Sequence, residues 1–145
     1  MPSSPRGGAS APAERVPGLY LDTSALGRVL LGEPDSQAIL RELGRFDRHI
    51  ASRLLRVELR RLALRHGRLE DADQLLAGVA LIPVEEATLA AAETVPPPTV
   101  ATLDAIHLVT ALRLADAGLL DAVMTYDPHL ATGAQQHGLS VLAPA

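Results

Sequence analysis

Four acidic residues stand out by where they fall along the chain. Asp22 closes the apolar burst Gly18-Leu19-Tyr20-Leu21, and Asp127 follows Ala122-Val123-Met124-Thr125-Tyr126. Both sit directly after segments that read as buried strands, which places them on the same edge of a sheet. Asp104 lies in the first turn of an otherwise apolar helix, and Glu58 lies nearly two turns into a helix that begins after Ser52. Brought together at that edge, the carboxylates repel one another and raise each other's pKa values unless a cation is present. Oxygen donors with no cysteine and no histidine cluster favour Mg²⁺ or Mn²⁺ over Zn²⁺. Mg²⁺ keeps several waters, so a few carboxylates suffice, and the chemistry implied is metal-assisted hydrolysis of a phosphodiester. Residue type alone leaves a second reading open for Asp22 and Asp104, because Asp is favoured at helix N-termini, where it caps backbone N–H groups.

Positioning these acids requires strands that alternate with helices. After the first strand, Thr23-Ser24 can cap a helix over Ala25 to Leu31, Gly32-Glu33-Pro34-Asp35 is a turn, and Ala38, Ile39, Leu40 and Leu43 mark a second helix. His49-Ile50-Ala51 reads as a strand, with Ser52 capping a helix whose apolar positions are Leu54, Leu55, Leu59, Leu62 and Ala63. Gly67 closes it, Leu69 to Leu76 continues helically, and Val79 to Val84 reads as a buried strand. A helix from Glu85 is stopped by Pro96-Pro97-Pro98. A strongly apolar helix then runs from Thr102 or Asp104 through Ala117, followed by a strand over Ala122 to Thr125, a last helix to about His137 and a final strand over Leu139 to Leu142. The expectation is an α/β fold with a mostly parallel five-stranded sheet covered on both faces, its site beyond the carboxyl ends of the strands.

Length and composition narrow the function. At 145 residues the chain is the size of one domain. Aromatics make up 2% of it, too few for base stacking to be a major binding mode. The absence of cysteine excludes disulfides, thiolate metal sites and Cys nucleophiles. No apolar run approaches a membrane span, and residues 1–18, rich in Pro, Ala, Ser and Gly, lack the apolar core of a signal peptide. They read as a disordered tail before a domain over 19–145, and the expected setting is cytoplasmic with no membrane partner. The net charge is −4, yet all 13 basic residues are arginines and nine of them (41, 45, 48, 53, 56, 60, 61, 65 and 68) lie between positions 41 and 68. Guanidinium groups pair well with phosphate, so Arg53, Arg56 and Arg60 form a candidate face for a nucleic-acid backbone; a solvated helix face is the alternative.

Four segments, in order, resemble the motifs of PIN domains, especially VapC-type toxins of toxin–antitoxin pairs. They are Leu19-Tyr20-Leu21-Asp22-Thr23-Ser24-Ala25-Leu26, Ser52 to Arg61 around Glu58, Leu103-Asp104-Ala105-Ile106-His107-Leu108, and Thr125-Tyr126-Asp127-Pro128-His129-Leu130. The resemblance spans roughly residues 19 to 142. It implies a three-layer α/β/α sandwich, Mg²⁺-dependent RNA cleavage with Mn²⁺ as a substitute, and a homodimer. It also implies inhibition by a small cognate VapB-type antitoxin, in a heterotetramer or larger assembly. Carried over by residue, Asp22 and Asp104 are the principal metal ligands, Glu58 and Asp127 complete the site or bind through water, Thr23 or Ser24 supports Asp22 by hydrogen bonding, and Thr125 is a further supporting residue. The arginine face would then meet RNA or an acidic antitoxin segment.

Two departures stand beside the match. Val100-Ala101-Thr102 carries no basic residue, whereas relatives often have one shortly before the third motif, and Asp121 competes with Asp127 for the fourth acidic place. His107 is one turn past Asp104, but a lone histidine in so apolar a helix reads as a packed residue. A PIN nuclease of RNA processing is the alternative function. A phosphorelay receiver or phosphatase-like fold is disfavoured by the lack of lysine, and a nucleotide-binding module by the lack of a glycine-rich phosphate loop.

Overall fold

The computed structural model describes residues 17–145; residues 1–16 of the expected tail lie outside them. Gly18 belongs to the first strand rather than to the tail. The chain runs β1 (Gly18–Leu21), α1 (Thr23–Leu30), α2 (Ser36–Leu43), β2 (Arg48–Ser52), α3 (Leu54–His66), α4 (Leu69–Leu76), β3 (Ala80–Ile82), α5 (Glu86–Ala92), α6 (Thr102–Asp116), β4 (Ala122–Met124), α7 (Pro128–Gln136) and β5 (Val141–Leu142). The five strands form one sheet in the order β3-β2-β1-β4-β5, and every pairing is parallel. The third strand stops at Ile82, short of the expected Val84, because Pro83 has no N–H to donate to a ladder.

Period-two alternation along β1 sorts the layers. Leu19 and Leu21 face a core built with Ala25, Leu26 and Leu30 of α1, Ile39 of α2, Leu55 and Leu59 of α3 and Ala72 of α4. Tyr20 faces the other side, with Ala111 and Leu114 of α6. Leu108 of α6 meets Leu130 and Ala134 of α7 on that side. Helices therefore cover both faces, giving the α/β/α sandwich. Each fully buried Leu in these cores contributes roughly 1.5–3 kcal/mol relative to exposure. Crowding fixes Gly18 as well: a Cβ there would stand 2.1 Å from the Leu119 carbonyl oxygen. Gly67 ends α3 in the left-handed region, φ 67°, where a side chain is strained.

From β1 the chain steps outward through β2 to β3, then returns to place β4 on the other side of β1. The order thus reverses at β1, and the carboxyl ends of β1 and β4 flank the crevice where open parallel sheets bind their ligands. Asp22 follows β1 and Asp127 follows the end of β4.

Candidate active site

Asp22 is the most constrained of the acids. Its backbone N–H extends the ladder to the Met124 carbonyl (3.1 Å), and the residue is buried, with 4% exposure. Oδ2 accepts from Ser24 Oγ (2.7 Å) and Thr125 Oγ1 (2.9 Å), and at longer range from the Ser24 N–H (3.4 Å). Each hydroxyl is oriented in turn by a backbone donor: the Tyr126 N–H reaches Ser24 Oγ (2.8 Å) and the Asp127 N–H reaches Thr125 Oγ1 (3.0 Å). The segment leaving β4 therefore locks one oxygen of Asp22, and Oδ1 remains toward His107 Nε2, 4.0 Å away.

The expected partners of Asp22 divide differently from the sequence reading. Ser24 and Thr125 bind it, whereas Thr23 Oγ1 donates to Glu58 Oε1 (2.6 Å), because α1 turns Thr23 toward α3. Asp22 is itself the N-cap of α1, so capping and site placement coincide in one side chain. Asp104 is no cap: Ala101 holds that position and makes no side-chain cap bond.

Glu58 Oε1 also accepts from His107 Nε2 (2.7 Å). Burial alone would raise the Glu58 pKa, but the hydrogen bonds from His107 and Thr23 outweigh it and hold the group below the usual carboxylate value. Asp104 moves the other way. Burial, the charges of Asp127 and Asp22 and a shared hydrogen bond with Asp127 push its carboxyl up to about 7. Repulsion between carboxylates at one edge is thus part of the shift, after burial. Asp127 caps α7 with Oδ1, which accepts from the N–H groups of His129 (2.8 Å) and Leu130 (3.0 Å).

Asp121 lies at the opposite end of β4, where Oδ2 accepts from the Gly18 N–H (2.7 Å) and its own N–H reaches the Gly18 carbonyl (2.8 Å). It stands at the amino edge of the sheet, and Asp127 is the acid that shares the carboxyl edge with Asp22. Of the arginine face, Arg53 and Arg56 line a groove along α3 with Val57, Leu64 and Leu69. Arg60 lines the same groove and is paired there with Asp73 of α4, Nε to Oδ1 at 2.9 Å.

Sequence reading missed the role of two core residues. His107 is fully buried yet uses both ring nitrogens: Nε2 binds Glu58, and Nδ1 lies 2.7 Å from Tyr20 Oη. Burial raises the Tyr20 pKa and keeps the phenol neutral. Its oxygen accepts from the Ser52 N–H (3.1 Å). A Tyr in the middle of a buried strand needs a partner for its hydroxyl, and His107, on the same helix face as Asp104, was the available signal.

The donor set suits a hard cation. Asp22 Oδ1 and Glu58 Oε2 accept no hydrogen bond among the described residues, and burial together with the charges of Asp127 and Asp22 holds the Asp104 carboxyl well above the usual carboxylate range. Among the described residues no three carboxylates or imidazoles already form a closed metal-ligand group. Mg²⁺, which keeps most of its waters and needs one or two carboxylates, fits an edge of this kind, whereas a fully protein-ligated ion does not.

Known proteins resemble this chain in sequence and in fold. A family model described as the PIN domain matches residues 19–141. Ribonuclease VapC47 of Mycobacterium tuberculosis is 36% identical over 133 residues, covering 87% of this chain and 96% of the relative. Ribonuclease VapC46 of the same species is 36% identical over 130 residues, covering 88% and 98%. The crystal structure of M. tuberculosis VapC20, a toxin that cleaves the sarcin–ricin loop, superposes with a TM-score of 0.66 at 14% identity, over 87% of this chain and 99% of that one. With four ordered motifs, a five-stranded parallel sheet of matching fold and relatives of this closeness, the chain belongs to the PIN-domain family.

Proposed function

We propose that the chain is a Mg²⁺-dependent endoribonuclease that acts as the toxin of a toxin–antitoxin pair. The observation that carries the reading is the carboxyl edge at β1 and β4, where a locked Asp22 stands beside an Asp104 whose carboxyl is pushed up to about 7 by burial and by its acidic neighbours. The names of the curated relatives, all VapC ribonucleases, support the toxin assignment over an RNA-processing role.

Asp22 and Asp104 would hold the cation, with Glu58 and Asp127 completing its surroundings directly or through water. Bound there, Mg²⁺ lowers the pKa of a coordinated water and offsets charge on the phosphate. The protein's part is orientation. Ser24 and Thr125 fix Asp22, while Thr23 and His107 fix Glu58, which stays ionised and available to receive a hydrogen bond from the attacking water. In the reaction one P–O ester bond breaks, the water oxygen stays on the phosphate, and a proton ends on the departing sugar hydroxyl. Arg53 and Arg56 are placed to grip the RNA backbone.

The partners of this reading are RNA, a small VapB-type antitoxin and a second copy of the chain, in a heterotetramer or larger complex, within the cytoplasm. A largely apolar groove lined by Leu89, Val95, Val100 and Ile106, with Leu89 exposed, supports self-association. No helix of the described residues is long and apolar enough to cross a membrane.

Purified Asp22→Asn and Asp104→Asn, compared with wild type on RNA in Mg²⁺, test the assignment. Both variants are expected to lose cleavage and to relieve growth arrest on expression. Full cleavage by either one would remove its residue from the active centre and the mechanism with it.

A further inference from the structure

Tyr20 and Glu58 lie in different layers. Tyr20 faces the α6 side of the sheet, and Glu58 is carried by α3 on the other. His107 joins them past the carboxyl ends of β1 and β2. A continuous chain of hydrogen bonds runs from the Ser52 N–H at the end of β2 to Tyr20 Oη, on to His107 Nδ1, and from His107 Nε2 to Glu58 Oε1, which also receives Thr23 Oγ1.

The polarity of that chain follows from its ends. A carboxylate only accepts, so Nε2 carries a proton toward Glu58. Tyr20 Oη, which accepts from the Ser52 N–H, lies within hydrogen-bond distance of the other ring nitrogen, Nδ1. The Tyr20 and His107 rings meet edge to face, 5.9 Å between centroids and 75° between planes, with His107 fully buried. A residue needed only for packing would be served by Leu or Phe without two polar nitrogens to satisfy.

We propose that His107 is a positioning residue for the acidic edge: held by Tyr20, it fixes Oε1 of Glu58 and so leaves Oε2, which accepts no hydrogen bond among the described residues, for the cation. It touches neither RNA nor the reacting atoms. The proposal rests on the reading of that edge as a cation site. Residues one bond removed from a metal ligand, which orient it, typically change metal affinity or activity 10- to 100-fold when replaced, and His107 stands in that relation to Glu58.

Side-chain geometry supplies a discriminating pair of variants. In His107→Gln the terminal amide reaches the level of Nε2 and can still donate to Glu58; in His107→Asn it reaches only the level of Nδ1, keeps Tyr20 and abandons Glu58. Mn²⁺ affinity is measured by calorimetry on wild type, both variants and Asp22→Asn, with folding checked by circular dichroism. Expected are near-wild-type affinity for Gln and a loss of about 10-fold or more for Asn. In RNA cleavage Asn lowers kcat and leaves KM unchanged. Wild-type affinity in a folded His107→Asn overturns the proposal, as does an equal loss in Asn and Gln, which marks a packing role. If Asp22→Asn also binds Mn²⁺ as wild type does, the cation-site reading falls too; if only Asp22→Asn is impaired, that reading survives and His107 alone is dismissed. Should His107→Asn not fold, wild-type protein with ¹⁵N-labelled histidine decides. The Nε2–H resonance of His107 shifts on Mg²⁺ addition if the proposal holds, and an unmoved resonance overturns it.

Discussion

At the residue scale three of the carboxylates, Asp22, Glu58 and Asp127, each have one oxygen tied by hydrogen bonds. Ser24 Oγ sits between the Tyr126 N–H and Asp22 Oδ2 and serves both. Ser24→Ala leaves a buried carboxylate oxygen and a backbone donor short of a partner, a penalty of about 1–3 kcal/mol. For a chain of this length that is a fall in Tm of several degrees, read by thermal unfolding, together with weaker cleavage. An unchanged Tm would mean that water replaces the hydroxyl. Asp104 makes a separate claim in metal-free protein. Its folded-state pKa, about 7, lies above the ordinary 3.8, so protonation favours the folded state, and this contribution is lost as pH rises from near 4 through 7. Glu58, shifted downward, loses its contribution only at the acid end, below its ordinary 4.5. Thermal unfolding in EDTA between pH 5 and 8 should therefore show stability declining with pH in wild type and a flatter profile in Asp104→Asn. Parallel profiles would contradict the upward shift of the Asp104 carboxyl.

At the scale of elements, strand ends decide which acids meet. Asp121 and Asp127 flank the same short strand but reach opposite edges of the sheet. Asp121→Ala should lower stability, through the lost bond to Gly18, while leaving cleavage per folded molecule intact, whereas Asp127→Ala should impair cleavage. Reversed results from paired unfolding and cleavage assays would exchange the two assignments. Sequence carried most of this layer: strand–helix alternation and the position of acids after apolar bursts are local patterns, and both survive in the structure. What escaped was non-local. Thr23 binds Glu58 rather than Asp22 because α3 packs beside α1, Arg60 is taken by Asp73 across the turn between α3 and α4, and His107 finds Tyr20 87 positions away. No periodicity within a single segment encodes such contacts. They exist only once the β3-β2-β1-β4-β5 order is set.

Across the whole molecule, charge is unevenly shared. The net charge is −4, but arginines concentrate between positions 41 and 68, and Arg53 and Arg56 lie along a groove on the helix that carries Glu58. Phosphate contacts release counterions, so each one steepens the fall of affinity with salt by about 0.7 in the log–log slope for single strands. Arg53→Ala with Arg56→Ala is expected to weaken RNA binding and flatten that slope by about 1.4 if each guanidinium meets one phosphate. Fluorescence anisotropy across a salt series reads both, and an unchanged slope would leave the arginines as a solvated face. The family relationship accounts for the fold and for the order of the motifs. The physical reason for the acids to sit together, against their own repulsion, is the cation the proposed chemistry needs. Cleavage of RNA by wild-type protein stripped with EDTA and then titrated with Mg²⁺ examines that need most directly. No cleavage before addition and recovery with Mg²⁺ is the predicted result, and undiminished cleavage in excess EDTA would contradict it.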